Sequence, residues 1–341
     1  MEEDSTEFRF GIDIDVNTDD EEVVSHHLRV KRIENLERCK KLKRLRIVAS
    51  GLKEIENLDE NRDIEELEIY QGLLTQIRNI GHLTQLRVLD LSFNEIKRIE
   101  GLDSLVKLEK LYLSNNKISV MEGLEYLRNL RVLELGSNRI RSVTGLKNLT
   151  KLEQLWLGKN KISNLADLNA YSFPELVQIS LQSNRLTDWA GGVLFRQVAP
   201  NLQNVYLGSN QLVDMDEATL SSFNPDTLIE LDISSNALTV APQFPRPLVR
   251  LEELWLNDNK IDSVESLKCI GPIFPVLRTI YIERNPVHSQ CPLDCRNVIL
   301  ANAPPTLEQV DANRFEAHRV TVSELLESKP VKSILKRPSF S

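Results

Sequence analysis

The pattern that decides the fold is carried by residues 130–138, LRVLELGSN. Its frame is L-x-x-L-x-L-x-x-N, in which x stands for any residue, and the frame returns along most of the chain. Eleven copies in one frame predict a solenoid of stacked repeats. Clear copies begin at Leu86, Leu108, Leu130, Leu152, Leu176, Leu202, Leu228, Leu251 and Leu277, and weaker copies begin at Leu42 and Ile64.

The frame predicts one short strand per repeat, because leucines at positions 1, 4 and 6 can all point into a core while the Asn turns the chain. Strands of successive repeats then stack into a parallel sheet, and no repeat buries its apolar face without its neighbours. The first five intervals between repeats are 22 residues, and the later intervals are 24, 26, 26, 23 and 26. We therefore predict an α/β solenoid, a leucine-rich-repeat horseshoe with a parallel concave sheet, short 3₁₀ or helical segments on the convex side and a cap at each end.

Five segments follow from this frame. Residues 1–22 hold ten acids and one base and are expected to be disordered. Residues 23–41 carry half a repeat and are expected to cap the N-terminal end, and residues 42–285 hold the eleven repeats. Residues 286–315 are expected to form the C-terminal cap, with a short helix followed by an edge strand. Residues 316–341 form a basic tail with little apolar content and are expected to be disordered.

Composition narrows the class of function. The chain has 341 residues and a formal net charge of −8, which argues against a general nucleic-acid binder. No stretch is long and apolar enough to cross a bilayer, and the acidic start does not resemble a secretion signal, so we expect no membrane partner. Four cysteines without a secretion signal indicate reduced thiols, which places the protein in the nucleus and cytoplasm.

The exposed strand positions carry the functional information. Positions 3, 5 and 7 face outward on the concave side, where the core does not dictate residue type. Five of the nine Trp and Tyr residues of the chain stand in the eleven places at position 5, and acids lie between them. Glu230 and Glu253 stand beside this column at position 3. The column reads Arg46, Glu68, Asp90, Tyr112, Glu134, Trp156, Ser180, Tyr206, Asp232, Trp255 and Tyr281.

This column favours a protein-binding face. Trp and Tyr dominate interface hot spots, and acids between them select partner surfaces rich in Lys and Arg. A purely structural alternative is that strands favour aromatic residues, which then shield the edges of the sheet. A solvated face gains little from a column of large rings, so we favour the binding interpretation.

No catalytic or cofactor motif accompanies this face. The sequence lacks a phosphate-binding loop, an H-E-x-x-H pair and a G-x-S-x-G turn. Cys291 and Cys295 with nearby His288 have a spacing that zinc could use, but no second ligand pair follows, so a structural cap is favoured. We therefore expect no enzyme activity, no cofactor and no metal site.

Several strings outside the frame leucines resemble one family, the conserved leucine-rich-repeat regulatory subunit of protein phosphatase 1. The resemblance covers roughly residues 23–315, and it includes the cap around RNVILA (296–301). The strings that carry it are LELGSNRI (133–140), LGKNKI (157–162), LQSNRLT (181–187), LDISSN (231–236), WLNDN (255–259) and YIERNP (281–286).

The resemblance implies a non-catalytic subunit whose concave face binds the phosphatase 1 catalytic subunit and controls its activity, maturation or targeting, including in mitosis. It also implies a ternary complex that includes inhibitor 3. The longer repeats after residue 161 depart from the uniform spacing of the family. Carried over residue by residue, with Tyr206 added from the column itself, the partner-binding face consists of Asp90, Tyr112, Glu134, Trp156, Tyr206, Asp232, Glu253, Trp255 and Tyr281.

The C-terminal tail adds a separate motif. Ser333, Ile334, Leu335 and Lys336 match the SILK docking motif of phosphatase 1 regulators, in which the apolar pair would fill a groove and the lysine an acidic rim. Residues 319–322, RVTV, resemble the companion RVxF motif but lack its aromatic residue. Lys336-Arg337-Pro338-Ser339 resembles a basophilic kinase site. The alternative function is another intracellular leucine-rich-repeat adaptor, serving cilia or RNA processing.

Overall fold

The computed structural model describes residues 7–189, 195–290 and 292–314. Within these residues the strands form a single sheet in chain order, and all neighbouring pairs are parallel except the last. The strands are β1 (Glu22–His26), β2 (Arg44–Val48), β3 (Glu66–Tyr70), β4 (Val88–Asp90), β5 (Lys110–Tyr112), β6 (Val132–Glu134), β7 (Gln154–Trp156), β8 (Gln178–Ser180), β9 (Asn204–Tyr206), β10 (Glu230–Asp232), β11 (Glu253–Trp255), β12 (Thr279–Tyr281), β13 (Gln309–Val310) and β14 (Asn313–Arg314).

Helical structure is sparse and lies in the connections after β7. Two 3₁₀ segments cover Ala166–Ala170 and Glu265–Leu267. The longer repeats thus use their extra residues for turns and short helices away from the sheet, and the predicted parallel-sheet solenoid is confirmed. The α-helices are α1 (Phe195–Val198), α2 (Glu217–Ser222), α3 (Ile270–Ile273), α4 (Pro286–Gln290) and α5 (Pro292–Asn302).

The frame leucines form a continuous core along the solenoid. In β6, Leu133 is fully buried, and Leu130 and Leu135 of the same repeat are equally buried. The same three positions are buried in the repeats on either side, so each repeat contributes one layer to the core. Stability therefore comes from contacts between neighbours and not from any single repeat.

The frame Asn residues hold successive repeats together. Asn138 Nδ2 donates to the backbone oxygens of Leu113, Leu135 and Gly136 at 2.9, 3.1 and 3.2 Å, and its Oδ1 accepts from Ile118 N at 2.9 Å. Each Asn thus satisfies backbone groups that a turn would otherwise leave buried and unpaired. Corresponding bonds are made by Asn94, Asn116, Asn160, Asn184, Asn210, Asn236, Asn259 and Asn285.

A left-handed residue precedes each of these Asn residues, as at Ser137 with φ 55°. In three of the 22-residue repeats a second left-handed position on the far side of the core is filled by glycine. A Cβ at Gly145, where φ is +74°, would lie 2.5 Å from the backbone oxygen of Met121. The equivalent places of the preceding repeats hold Asn35, Asn57 and Asn79 with φ of 62°, 59° and 60°. The position therefore takes glycine or asparagine, the residues that adopt a left-handed backbone most easily.

The longer repeats share a second core element made of phenylalanines. Phe195 and Phe223 lie 5.4 Å apart between ring centroids, Phe223 and Phe244 6.0 Å, and Phe244 and Phe274 5.9 Å. All four side chains are buried. This phenylalanine row, defined by these four residues, fills the space that the added residues open on the convex side.

The N-terminal segment differs from its predicted state. Phe10 is completely buried in the core, Asn35 Nδ2 donates to Phe10 O at 2.8 Å, and Phe8 N donates to Arg29 O at 3.2 Å. Ile14 and Val16 also pack against the core. The prediction of disorder over residues 1–22 is therefore wrong for residues 7–22, because alternating apolar side chains outweigh the acidic charge.

The solenoid also has one more unit than the sequence frame revealed. Strand β1 pairs with β2 in a register that sets Glu22 against Arg44, which places the start of a further frame at Asp20. This unit has an acid at position 1, Ser25 at position 6 and Leu28 in the Asn place, so the leucine pattern does not detect it. Its strand begins inside the predicted acidic tail.

The C-terminal end closes with helices and a short hairpin. Helix α5 lies where the sequence indicated a short helix, and β13 continues the parallel sheet beside β12. Strand β14 then runs antiparallel to β13. The predicted tail 316–341, with residues 333–336 and residue 339, lies outside the described residues, as does Cys291.

Candidate functional site

The register of the sheet places the predicted column in one straight row. Asp90 is paired with Tyr112, Tyr112 with Glu134, and Glu134 with Trp156. The row continues through Ser180, Tyr206, Asp232, Trp255 and Tyr281. The position 4 residue beside each member is buried, whereas the position 5 side chains other than Ser180 are partly exposed. The concave row, defined as position 5 from β4 to β12, therefore faces outward as one surface.

Two rings of the concave row close over a small residue between them. The ring centroids of Trp156 and Tyr206 lie 6.4 Å apart with their planes at 15°, although β8 separates their strands. Ser180 occupies the row between them and is only 1% exposed. A small side chain at this place lets the two rings stack, so they form one aromatic platform instead of two isolated groups.

Tyr206 also anchors an acid from the neighbouring column. Its hydroxyl donates to Glu230 Oε2 at 2.7 Å, and Asn204 Nδ2 donates to the same oxygen at 3.2 Å. Burial, with the nearby Glu230 carboxylate, raises the pKa of Tyr206 to about 12. Burial also raises the pKa of Glu230. The pair thus holds a carboxylate in a fixed position beside the platform.

A second aromatic platform ends the row. Trp255 and Tyr281 stack with ring centroids 3.9 Å apart and planes at 26°. The hydroxyl of Tyr281 accepts a hydrogen bond from Gln309 Nε2 at 3.0 Å, which ties the platform to the C-terminal cap. Trp255 Nε1 and Asn257 Oδ1 are both buried and have no hydrogen-bond partner among the described residues. Each can pair with a group of an incoming molecule or with water.

The acids of the row have no cationic partner of their own. Neither Asp90 nor Glu134 nor Asp232 forms an ion pair with a Lys or Arg in the described part of the chain. Burial raises the pKa of Asp90 and the pKa of Glu134. Asp232 is instead fixed by Ser234, whose backbone N and Oγ donate to its Oδ1 at 2.9 and 2.6 Å. Partly desolvated carboxylates of this kind gain free energy when a cation approaches them.

The N-terminal end of the same column behaves differently. Arg46 and Glu68 form a two-pronged ion pair with distances of 2.6 and 2.8 Å. Their charges cancel within the chain, whereas the acids of the row from Asp90 onward have no cation within the described residues. The predicted face begins at Asp90.

Small residues stand beside the row. Position 7 carries Gly136, Gly158 and Gly208 in the middle of the sheet. A Cβ at Gly208 would lie 2.8 Å from Asp232 Oδ2, so glycine here also keeps that carboxylate in place. Next to these residues the sheet forms an open hollow of about 430 Å³, which is lined by Trp156, Gln182, Ser183, Tyr206, Gly208, Ser209, Glu230, Asp232, Ser234 and Trp255.

The structure thus brings together most of the predicted face. Tyr206, Asp232 and Trp255 share the hollow with Trp156, and Glu253 flanks Trp255 on the same strand. Asp90, Tyr112 and Glu134 lie further along the row and outside this hollow. The predicted tail residues 333–336 belong to the part of the chain that is not described, so the structure does not place them against this face.

Three residues of the site were not predicted from the sequence. Asn204 and Gln309 were missed, although both stand at position 3 of their frames and so beside the row. Asn257 was missed as well, although it stands at position 7 next to Trp255. All three stand at outward positions of the frame, so a search of every outward polar residue would include them.

The concave row is a broad surface of fixed rings and carboxylates, which is the chemistry of a protein interface. Within the described residues no group of three or more His, Cys, Asp or Glu side chains could hold a metal ion. None of the helices in that part of the chain has the length and apolar character needed to span a bilayer.

Comparisons with known proteins agree with the repeat architecture. The family described as Leucine Rich repeats (2 copies) matches residues 84–126, 128–170 and 226–269. Toll-like receptor 9 of Mus musculus is 36% identical over 93 residues, which are 27% of this chain. The chain spans only 9% of the length of that receptor.

Solved structures show the same fold at low identity. An internalin, InlF, from Listeria monocytogenes superposes with a TM-score of 0.66 at 21% identity, covering 86% of this chain and 87% of that chain. A leucine-rich-repeat protein of Leptospira interrogans gives a TM-score of 0.67 at 22% identity, and the match covers 82% of this chain and 69% of that chain. The leucine-rich-repeat domain of APL1B gives a TM-score of 0.62 at 18% identity, and the match covers 86% of this chain and 81% of that chain. At such identities the likeness concerns the fold alone.

Proposed function

We propose that this leucine-rich-repeat protein, a scaffold suited to protein–protein interaction, is a non-catalytic regulatory subunit of protein phosphatase 1. Its concave row binds the catalytic subunit of the phosphatase and controls the activity, maturation or targeting of that enzyme, in the nucleus and cytoplasm and during mitosis. The observation that carries the proposal is the row from Asp90 to Tyr281, in which every residue except Ser180 is an aromatic ring or a carboxylate without an ion-pair partner.

The physical properties of the row support a large folded partner. Two stacked ring pairs, Trp156 with Tyr206 and Trp255 with Tyr281, give rigid apolar area at a small entropy cost. Asp90, and acids on either side of these rings, favour a partner surface that presents Lys and Arg between apolar contacts. A small ligand would use only one of these platforms, whereas the row extends over nine strands.

The choice of partner rests on the resemblance in the repeat strings. These strings resemble the phosphatase 1 regulatory family at positions that the core does not require, and the face which that resemblance implies runs, except for Glu253, along the row described above. The proposal includes a ternary complex with inhibitor 3. The SILK-like residues 333–336 are proposed as a second contact with the same enzyme.

The test is co-purification of the phosphatase 1 catalytic subunit with a double variant of β11. We expect Trp255→Ala with Glu253→Ala to remove at least nine-tenths of the bound phosphatase, because it deletes one aromatic platform and one acid. Truncating an anchor of this kind costs about 2 kcal/mol of binding free energy. Circular dichroism would check that the fold is kept. Undiminished binding would refute the assignment of this face.

A matched control comes from another exposed aromatic and acid pair. Tyr126, 57% exposed, and Glu125 stand outside the strands in the connection before β6. Tyr126→Ala with Glu125→Ala removes the same kinds of side chain from a surface outside the row. This control is expected to keep full phosphatase binding, and equal losses in both variants would contradict the proposal.

A further inference from the structure

A second surface lies on the side of the solenoid opposite the sheet. A groove of about 130 Å³ runs there between helix α2 and the segment that precedes β11. Its volume is comparable with that of one large apolar side chain. The convex groove is lined by Arg196, Leu220, Ser221, Phe223, Pro225, Phe244, Pro245, Arg246 and Leu248.

The walls of the convex groove are rigid. Phe223 and Phe244 belong to the buried phenylalanine row and meet edge to face at 6.0 Å. Leu248 N donates to Ile273 O at 2.8 Å, and Val249 N donates to Pro225 O at 3.2 Å, so both rims are tied to neighbouring repeats. A preformed groove of this kind binds without the entropy cost of ordering its walls.

The charges at the convex groove are all of one sign. Arg196 and Arg246 are both exposed, and neither forms an ion pair with any residue that the structure describes. No carboxylate is among the lining residues. By contrast, Arg87, Arg131 and Arg278 each contact a Glu of an adjacent repeat. The two free guanidinium groups beside an apolar groove are therefore complementary to carboxylates that flank an apolar side chain.

We propose that the convex groove binds an acidic segment of a protein partner. One Leu or Phe side chain of that segment enters the groove and packs against the touching rings of Phe223 and Phe244, and carboxylates on either side of it pair with Arg196 and Arg246. This occupant differs in charge from the basic partner expected at the concave row. The two surfaces face opposite sides of the solenoid, so the protein can hold two partners at once.

The test uses the full chain and an acetylated, fluorescent hexapeptide, Asp-Glu-Leu-Leu-Glu-Asp, with binding measured by anisotropy up to about 1 mM peptide. We expect Arg196→Glu with Arg246→Glu to weaken binding about tenfold or more. Arg128→Glu with Arg139→Glu makes the same charge change at exposed arginines elsewhere and is expected to leave the affinity within about twofold.

A second variant tests the apolar part. Ser221 is exposed and lines the groove, so Ser221→Phe fills the space without replacing either of the buried rings, and it is expected to block the peptide. The same peptide with Ser in place of both Leu residues is expected not to bind. Equal binding of that peptide, equal losses in the Arg128 and Arg139 control, or absence of binding up to about 1 mM would each overturn the proposal.

One competitor is encoded in the chain itself. Glu324-Leu325-Leu326-Glu327 has the same chemistry as the peptide and lies outside the described residues. Full-length Leu325→Ser with Leu326→Ser is expected to bind the hexapeptide with unchanged affinity. A rise of about tenfold in that variant would identify the tail as the occupant of the groove and would overturn the proposal of a separate partner.

Discussion

Trp255 stacks on Tyr281 at a centroid distance of 3.9 Å, while its indole N–H is buried and has no acceptor within the described structure. The Trp255 ring thus has its stacking partner within the chain, whereas its N–H donor has no acceptor among the described residues. A buried donor without a partner destabilises the free protein, and pairing it in a complex removes that cost. The ring of Trp255 therefore contributes to the fold through stacking, and its N–H is available to bind a partner.

Trp255→Phe is expected to keep the stack and remove the donor. The free variant should be as stable as the parent or slightly more so, because an unpaired buried group is lost. Binding of the concave partner should weaken about fivefold to tenfold, which corresponds to about 1 kcal/mol for one hydrogen bond. Isothermal calorimetry on the complex and urea unfolding of the free chain measure the two effects separately.

Tyr281→Phe supplies the comparison for that experiment. The hydroxyl of Tyr281 already accepts a bond from Gln309 at 3.0 Å, so its loss should lower stability and change partner affinity little. If both variants changed only stability, the unpaired Trp255 donor would have no part in binding.

The Asn ladder gives a prediction about stability alone. Asn138→Ala removes three donated bonds and one accepted bond. It leaves the buried N–H of Ile118 without a partner, while Leu113 O keeps only its bond from Asn116 Nδ2 at 3.1 Å. We expect a loss of about 2–3 kcal/mol in the free energy of unfolding, because the stranded N–H carries a desolvation cost and the other lost bonds are buried. Urea unfolding followed by circular dichroism measures this loss.

Asn148 provides the matched control for the ladder. Its Nδ2 donates a single bond, to Glu125 O at 2.8 Å, in an exposed connection. Asn148→Ala is expected to cost less than about 1 kcal/mol. A comparable loss at both positions would mean that burial does not determine the contribution of these Asn residues.

The repeating part of this fold could be predicted because its physics is periodic. The frame around Leu130 and Asn138 fixes both the buried positions and the turn in every copy, so strands β2 to β12 follow from it. The outward row follows as well, since alternation along a strand decides which side chains leave the core. Non-periodic elements were harder: the unit of β1 was missed because Ser25 and Leu28 replace frame residues.

The finer organisation of the site depends on distances between repeats. Ser180 interrupts the ring pattern in the sequence, yet its small size is what allows Trp156 and Tyr206 to stack above it. Likewise the bond from Tyr206 to Glu230 joins different frame positions on adjacent strands. Side-chain directions and strand spacing set such contacts, and a frame read along one chain does not contain them.

Ionisation on the concave face gives a prediction about pH. Burial raises the pKa of Glu134 above its ordinary value of 4.5 and that of Asp90 above 3.8. At a pH between the ordinary pKa and the raised pKa of each group, the folded chain therefore binds more protons than the unfolded chain. Stability contributed by these groups falls as pH rises through that window, and the loss is complete above the folded pKa.

Glu134→Gln isolates this contribution from that of the other acids. The free energy of unfolding of the parent minus that of the variant should fall as the pH rises above 4.5, the ordinary pKa of Glu134. A basic partner should show the opposite trend and bind the parent better as Glu134 ionises. Urea titrations at several pH values test the first statement, and a difference that is flat or rises with pH would contradict it.

Phe10 gives a prediction about the N-terminal segment. Its ring is fully buried although the surrounding residues are acidic, so Phe10→Ala should cost about 3–5 kcal/mol locally. Because each unit of a solenoid depends on its neighbours, the loss should appear as faster hydrogen exchange in β1 and β2, with β6 and later strands little affected. Ile12→Ala, at a side chain that is 60% exposed, should leave exchange in β1 unchanged. Equal exchange rates in the parent and the Phe10 variant would mean that the packing of residues 7–22 does not stabilise the N-terminal end of the solenoid.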